Sequence, residues 1–269
     1  MTRCFWRGAW GLACLVVGMS GLVSGAESAF HPATCEGEYA PHLQGICTDN
    51  KDSIFWAFTT ALVKTDRDGR LVKRADVVRH HGDLCYCDGK IYVAVNLGKF
   101  NQPPGNADSW VYVYDAADLK ELARHKTPEV VYGAGGIGEH DGRFIVVGGL
   151  VPDKSENYVY EYDAAFRFVK RHTINSGYTF LGIQTATYAN GAWWFGCYGA
   201  PKVLLKTDES FQMIGKYTFD CALGIVGLSD GSFLVGRNVL RLNRKCVGRV
   251  ILADADETKG LVLRDPAEK

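Results

Sequence analysis

The chain lacks the features that mark proteins of nucleic acids or membranes. Its 269 residues carry 30 basic and 30 acidic side chains, a formal net charge of zero, and no run of Lys or Arg. Without a basic face, neither nucleic acid nor an anionic membrane surface is an expected partner. No stretch beyond residue 26 is long and apolar enough to cross a bilayer. No long amphipathic helical pattern competes with the strands described below. A nucleophile elbow, a His-Glu-x-x-His zinc helix, a phosphate-cradling P-loop and an EF-hand loop are all missing. The sequence therefore contains no short motif that names a reaction.

At the N-terminus, Arg3 and Arg7 precede a mostly apolar stretch, Ala9 to Val23, and Ser24-Gly25-Ala26 offers the small residues of a cleavage site. This is the pattern of a secretory signal peptide over residues 1–26, so the mature protein is expected to be exported, to the periplasm or beyond. Export permits disulfides. Seven cysteines remain after cleavage (Cys35, Cys47, Cys85, Cys87, Cys197, Cys221 and Cys246), an odd number that leaves at least one unpaired within the chain. Cys35 with Cys47 and Cys221 with Cys246 are the expected bridges. Cys85 and Cys87 stand two apart on one strand, face the same side and read as buried thiols.

What is abundant is repetition. A glycine, a short apolar strand, a tight turn and a second apolar strand recur from Gly45, Gly82, Gly136, Gly182 and Gly224, a period of roughly 37 to 54 residues. Each copy continues with a third strand ending in Asp (ALVKTD, WVYVYD, NYVYEYD, KVLLKTD, GRVILADAD) and then a charged strand. Four strands at such a period are the signature of a β-propeller. The fold class is therefore all-β, a five-bladed propeller over residues 43–262, with an N-terminal segment 27–42 supplying a closing strand or clamp. A six-bladed ring with a partial blade from His31–Leu43 is the runner-up. In the second repeat the strands fall at Gly82–Cys87, Lys90–Val95, Trp110–Asp115 and Glu121–Lys126. Asp88-Gly89, Asp141-Gly142, Asn190-Gly191 and Asp230-Gly231 are hairpin turns. Two insertions, Leu97–Ser109 and Leu150–Glu156, join second to third strands, and Pro103, Pro104 and Gly105 make the first an ordered loop. The charged segment after Asp254, with the tail 263–269, is expected to fray. Trp56, Trp110, Trp193 and Trp194 are expected to pack between blades.

In a propeller the fourth-to-first and second-to-third connections open on one end of the axis, the usual ligand end. The residues placed there are His42 and Gln44, His80, His81 and Asp83, Tyr132, Tyr178 and Gln184, with Asn96, Lys99, Tyr198 and Arg237 from the second-to-third loops. His81 and Asp83, two apart on a strand, are expected to share a face, where the pair serves as general base and orienting carboxylate or holds a divalent metal. His125, His140 and His172 fall on outer strands or turns and are expected to be solvated.

The opening His42-Leu43-Gln44-Gly45-Ile46, followed by a strand carrying Trp56, resembles the plant-type glutaminyl cyclotransferases, which are five-bladed. The resemblance implies the same ring over all five repeats. The glutamate those enzymes carry near the first blade's inner strand is not matched, since Gln44 and Thr48 stand there, so the activity does not follow.

Three functional classes result. The first is an exported, monomeric propeller that binds a small polar or sugar-like ligand at the axial mouth. The second is a hydrolase or acyl-transfer enzyme with His81 as base, Asp83 orienting it, and Lys99 or Arg237 stabilising an anion, with or without a divalent metal. The third is a scaffold binding protein through its rim, weakened by the absence of an apolar outer loop. Residue types give no ligand or cofactor identity.

Overall fold

The computed structural model describes residues 30–265 and 267; the expected signal peptide lies outside the described residues. Five antiparallel sheets succeed one another along the chain. A two-residue strand, β1 (Ala33–Thr34), precedes blade one, which is β2 (Leu43–Thr48), β3 (Ser53–Phe58), β4 (Ala61–Asp66) and β5 (Leu71–Asp76). Blade two is β6 (His81–Cys87), β7 (Lys90–Asn96), β8 (Ser109–Asp115) and β9 (Glu121–Lys126). Blade three is β10 (Ala134–His140), β11 (Arg143–Gly148), β12 (Asn157–Tyr162) and β13 (Phe168–Ile174). Blade four is β14 (Phe180–Ala189), β15 (Ala192–Tyr198), β16 (Val203–Thr207) and β17 (Met213–Tyr217). Blade five is β18 (Ile225–Gly227), β19 (Phe233–Leu240) and β20 (Cys246–Asp256), completed by β21 (Gly260–Leu263). The five-bladed propeller read from the repeats is the observed architecture.

Blade five is closed from both sides of the sequence. Its third strand, β20, pairs with β1 at Ala33–Val250 and Thr34–Arg249, and with β21 at Ala253–Leu263 through Asp256–Gly260. The closing role expected of the N-terminal segment is thus shared. The expectation that the chain frays after Asp254 is overturned as far as β21: Leu261 is 2% exposed, and its apolar burial against blade four outweighs the charge around it; residues 266, 268 and 269 of the tail lie outside the described residues.

The blades stack through alternation. In β7, Ile91, Val93 and Val95 enter a cluster shared with blade one, whereas Ala94 and Tyr92 enter the cluster shared with blade three. This is the period-two consequence of a strand buried on both faces. Trp56, Trp193 and Trp194 are fully buried between blades as expected, while Trp110 is half-buried.

The third-strand aspartates have a local cause. Oδ1 of Asp66, Asp115, Asp163, Asp208 and Asp256 each accepts backbone N–H bonds from residues two to four further on, in the turn to the fourth strand. An Asx turn of this kind satisfies donors that the strand leaves open. The first hairpins behave likewise. Asp88 and Gly89, Asp141 and Gly142, and Asn190 and Gly191 have positive φ at both positions, the type I′ geometry that matches strand twist. Asp230-Gly231 departs from this: only Gly231 has positive φ, in a wider turn closed by Leu228 N–H to Ser232 O.

Neither expected disulfide is formed. The seven described cysteines are free thiols. Cys35 and Cys246 lie in the core between blades five and one, Cys47 between one and two, and Cys221 between four and five. The members of each expected pair thus lie in different inter-blade cores. The outer histidines are also corrected: His125 stacks on Phe166 at 4.4 Å and His140 on Tyr188 at 3.4 Å, and His172 meets Glu161 at 2.6 Å.

Candidate functional site at the axial mouth

The innermost strands set the geometry. Pairing between first and second strands slips at Leu43/Gly45, His81/Leu84, Ala134/Gly136 and Ile183/Thr185, so blades one to four each carry a bulge at the start of the inner strand. A bulge turns backbone groups out of the ladder. Here the N–H groups of Ala186, Leu84, Ile46 and Ile137 turn toward the carboxyl of Asp83. Ala186 N–H donates to Oδ2 at 3.0 Å. The others act from further off, leaving Oδ1 without a bond of normal geometry. Asp83 is completely buried, and burial pushes its pKa well above the ordinary carboxylate value against the pull of these four N–H groups. Gly45, Gly136 and Thr185 precede Ile46, Ile137 and Ala186, and Asp83 itself precedes Leu84. The space belongs to one side chain: a Cβ on Gly45 would stand 2.2 Å from Asp83 Oδ1.

The same bulge separates His81 from Asp83, correcting the expected pair. His81 pairs with Val95 and Leu84 with Val93, so an extra residue interrupts the alternation that would have put His81 and Asp83 on one face. His81 turns between blades one and two. Its Nδ1 donates to Val78 O at 2.7 Å, and its Nε2 accepts from Tyr114 Oη at 2.7 Å. The carbonyl can only accept, which fixes the tautomer. With the ring fully buried, desolvation lowers its pKa to about 4. Both nitrogens are occupied, and neither bonds Asp83.

His80 lies at the mouth beside Gln44. Gln44 Nε2 lies 2.9 Å from His80 Nε2, 3.2 Å from His42 Nε2 and 2.9 Å from Thr59 Oγ1. His42 Nδ1 donates to Leu43 O at 2.8 Å, so in its neutral form its Nε2 is an acceptor. One amide with two hydrogens therefore faces three acceptors. His80 Nδ1 is buried without a partner among the described residues. Burial first, then the charges of His42 and Arg79, lower the His80 pKa to about 4, so the ring is neutral at physiological pH.

The long loop after β7 covers part of this cluster. Asn96, 1% exposed, accepts the N–H groups of Gly98 and Asp108 through Oδ1 and so pins both ends of the loop. Phe100 then packs edge-on against His80 at 5.2 Å, and Asn101 Oδ1 accepts Leu150 N–H at 2.9 Å from the loop of blade three. Gly133 makes this approach feasible, since a Cβ there would stand 2.5 Å from the Phe100 ring. Phe100 and Asn101 escaped sequence reasoning, although the Pro-Pro-Gly that follows announced an ordered loop.

The remaining expected residues scatter. Gln184 is half-buried, and its Nε2 donates to Leu181 O at 2.7 Å. Tyr132 is buried and packs toward Tyr158, Tyr178 is exposed, and Lys99 is exposed. Tyr198 carries the Lys202 ammonium 4.7 Å above its ring, and burial raises its phenol to about 12. Arg237 Nη1 donates to the backbone carbonyl of Asp220 at 2.6 Å. The expectation that no outer loop is apolar fails at the β19–β20 hairpin, where Leu240 and Leu242 are 71% and 108% exposed.

At the opposite end of the axis, residues of all five inner strands line a pocket of about 300 Å³. Its two carboxylates have structural partners. Asp49 Oδ1 accepts the N–H groups of Lys51, Asp52 and Ser53, and Glu139 Oε1 accepts Gly142 N–H. No group of three or more His, Cys, Asp or Glu suited to a metal ion exists among the described residues.

No family model matches the chain, and no curated protein matches it in sequence. Among solved structures, a Myxococcus xanthus glutaminyl cyclase is similar at 12% identity and TM-score 0.55, over 83% of this chain and 97% of that one. A bifunctional GH43-CE protein of Bacteroides eggerthii is similar at 12% identity and TM-score 0.58, over 88% of this chain; the match spans 36% of that longer protein. Both likenesses are of fold: this chain is a five-bladed β-propeller whose architecture is shared with those two proteins.

Proposed function

We propose that the protein binds a small, neutral, polyhydroxylated ligand of the sugar type at the axial mouth, with His42, Gln44, Thr59 and His80 as contacts. One observation carries the reading. The Gln44 amide is surrounded by more acceptors than it has hydrogens, and a ligand hydroxyl donates to an imidazole nitrogen the amide leaves unserved. The neutral His80 ring and the Gln44 amide supply an acceptor and a donor around one point, which suits a hydroxylated ligand. Phe100 beside His80 gives an apolar wall for a ring face.

A melting-shift screen of neutral mono- and disaccharides, followed by calorimetry on any hit, tests this. A saturable hit is expected to weaken at least about tenfold in Gln44→Leu and in His80→Phe, the loss of one net polar contact. Lys126→Ala, on the outer edge of blade two, should leave it unchanged. No hit, or a hit indifferent to both mouth substitutions, rejects the reading.

A further inference from the structure

A cleft of about 560 Å³ lies outside the histidine cluster, against blades four and five. Its lining brings Lys202, Arg237 and Lys259 together with one carboxylate, Asp220. None of the three cations has a carboxylate partner within ion-pair distance among the described residues. Arg237 is the informative one. It is half-buried, and its hydrogen bonds both run from Nη1 to backbone carbonyls, Asp220 O at 2.6 Å and Gly236 O at 3.2 Å. Its Nε–Nη2 edge, the fork that grips a carboxylate or phosphate with two parallel bonds, has no partner among the described residues. The Asp220 carboxylate acts on this half-buried guanidinium electrostatically but makes no hydrogen bond or ion pair with it among the described residues, so the fork is an incomplete arrangement: a desolvated charge calls for a bonded opposite one.

Two further observations indicate what completes it. Lys259 is held at the cleft by the turn into β21, where Asp256 Oδ1 accepts Thr258 N–H at 2.8 Å and Lys259 N–H at 2.7 Å. The other walls are apolar: Phe219, which faces the guanidinium at 5.9 Å, and Leu261 and Leu263 from β21. Lys202 also lines a second hollow of about 580 Å³ with Phe180, Leu181 and Tyr198. Lys202 thus stands between two largely apolar hollows.

We propose that this cleft binds an amphipathic organic carboxylate, its head on the open edge of Arg237 with Lys202 and Lys259 nearby, and its apolar body along Phe219, Leu261 and Leu263. The charged fork selects the head and β21 supplies the surface for the body. A bare inorganic anion satisfies only the first, and a neutral amphiphile only the second.

Octanoate, octylammonium, octyl glucoside and inorganic phosphate, titrated separately into the intact protein by calorimetry, form the test. Octanoate is expected to bind saturably and at least about tenfold more tightly than the other three. Arg237→Met is expected to weaken it by about tenfold or more, and Lys202→Met, which keeps an apolar stem, to weaken it measurably without lowering the melting temperature. Absence of saturable octanoate binding overturns the proposal. So does binding that survives both substitutions. Equal binding of octylammonium or octyl glucoside shows that the cations do not select, and equal binding of phosphate shows that the apolar walls contribute nothing; either result also overturns it.

Discussion

His81 offers a quantitative test through acid stability. Its ring is fully buried, with Nδ1 on Val78 O and Nε2 on Tyr114 Oη, and its pKa is lowered from 6.5 to about 4. The unfolded chain takes up a proton near pH 6.5, and the folded chain only near 4. Acid therefore favours the unfolded state: the contribution of His81 to stability is complete above pH 6.5, is lost as pH falls, and stops changing below 4. For these two values the loss at pH 5 is about 2 kcal/mol relative to neutral pH, approaching about 3.4 kcal/mol below pH 4. Within the window, one proton corresponds to a slope of about 1.4 kcal/mol per pH unit. His81→Asn sacrifices bonds and packing at every pH, so absolute stability is the wrong readout. The slope is the right one. Urea denaturation from pH 4 to 7 is expected to show the variant flatter than wild type by nearly one proton's worth between about pH 4.5 and 6. A slope unchanged by the substitution, or an imidazole resonance of His81 titrating at or above pH 6, would refute the reasoning. His80, with its pKa also lowered to about 4, contributes a second proton in the same window and remains in the variant.

Asp83 has the opposite sign. Its folded pKa is raised, so its contribution is greatest below the ordinary carboxylate range and declines as pH rises. Asp83→Asn, which keeps an oxygen for Ala186 N–H and cannot ionise, is expected to gain on wild type as pH rises above the ordinary carboxylate range in urea melts; a constant difference contradicts the raised pKa. Asp83→Ala leaves the converging N–H groups without their acceptor and is expected to lose about 2 kcal/mol or more throughout. Gly45→Ala forces a Cβ within 2.2 Å of Asp83 Oδ1 and 2.5 Å of its Cα, and is expected to reach or exceed the upper end of the usual overpacking cost of about 1–3 kcal/mol. Gly89→Ala meets open space at φ +75° and should lose only the left-handed backbone penalty of about 1–2 kcal/mol; the reverse order in thermal unfolding would discredit the axial geometry.

The propeller was legible because its repeating elements are fixed locally. An Asp at the end of each third strand makes its turn with neighbours a few residues away, and Asp-Gly or Asn-Gly closes a hairpin within a handful of atoms. Alternation then assigns core residues to faces, as in β7. The mouth was legible only by location. His42, Gln44 and His80 come together there because loop position follows from strand order. The partnership of His81 with Asp83 was misplaced because a bulge, invisible to a two-residue period, inverts every assignment across it. Phe100 and Asn101 were hidden for a different reason: they act through contacts with Gly133 and Leu150, which depend on how one blade's loop lies over the next. The four cysteines expected to pair failed as a disulfide framework because burial in three different interfaces suffices to explain them.

The double closure of blade five makes the molecule, in effect, a circle rather than a line. Both ends of the described chain lie along the same edge of β20, with Thr34 opposite Arg249 and Leu263 opposite Ala253. A short linker joining those ends, with a new break at the exposed Pro104-Gly105 turn, would preserve every blade while changing the order in which the blades are synthesised. The ring as drawn has no privileged first blade, and its opening under load would begin at the seam where the two ends meet.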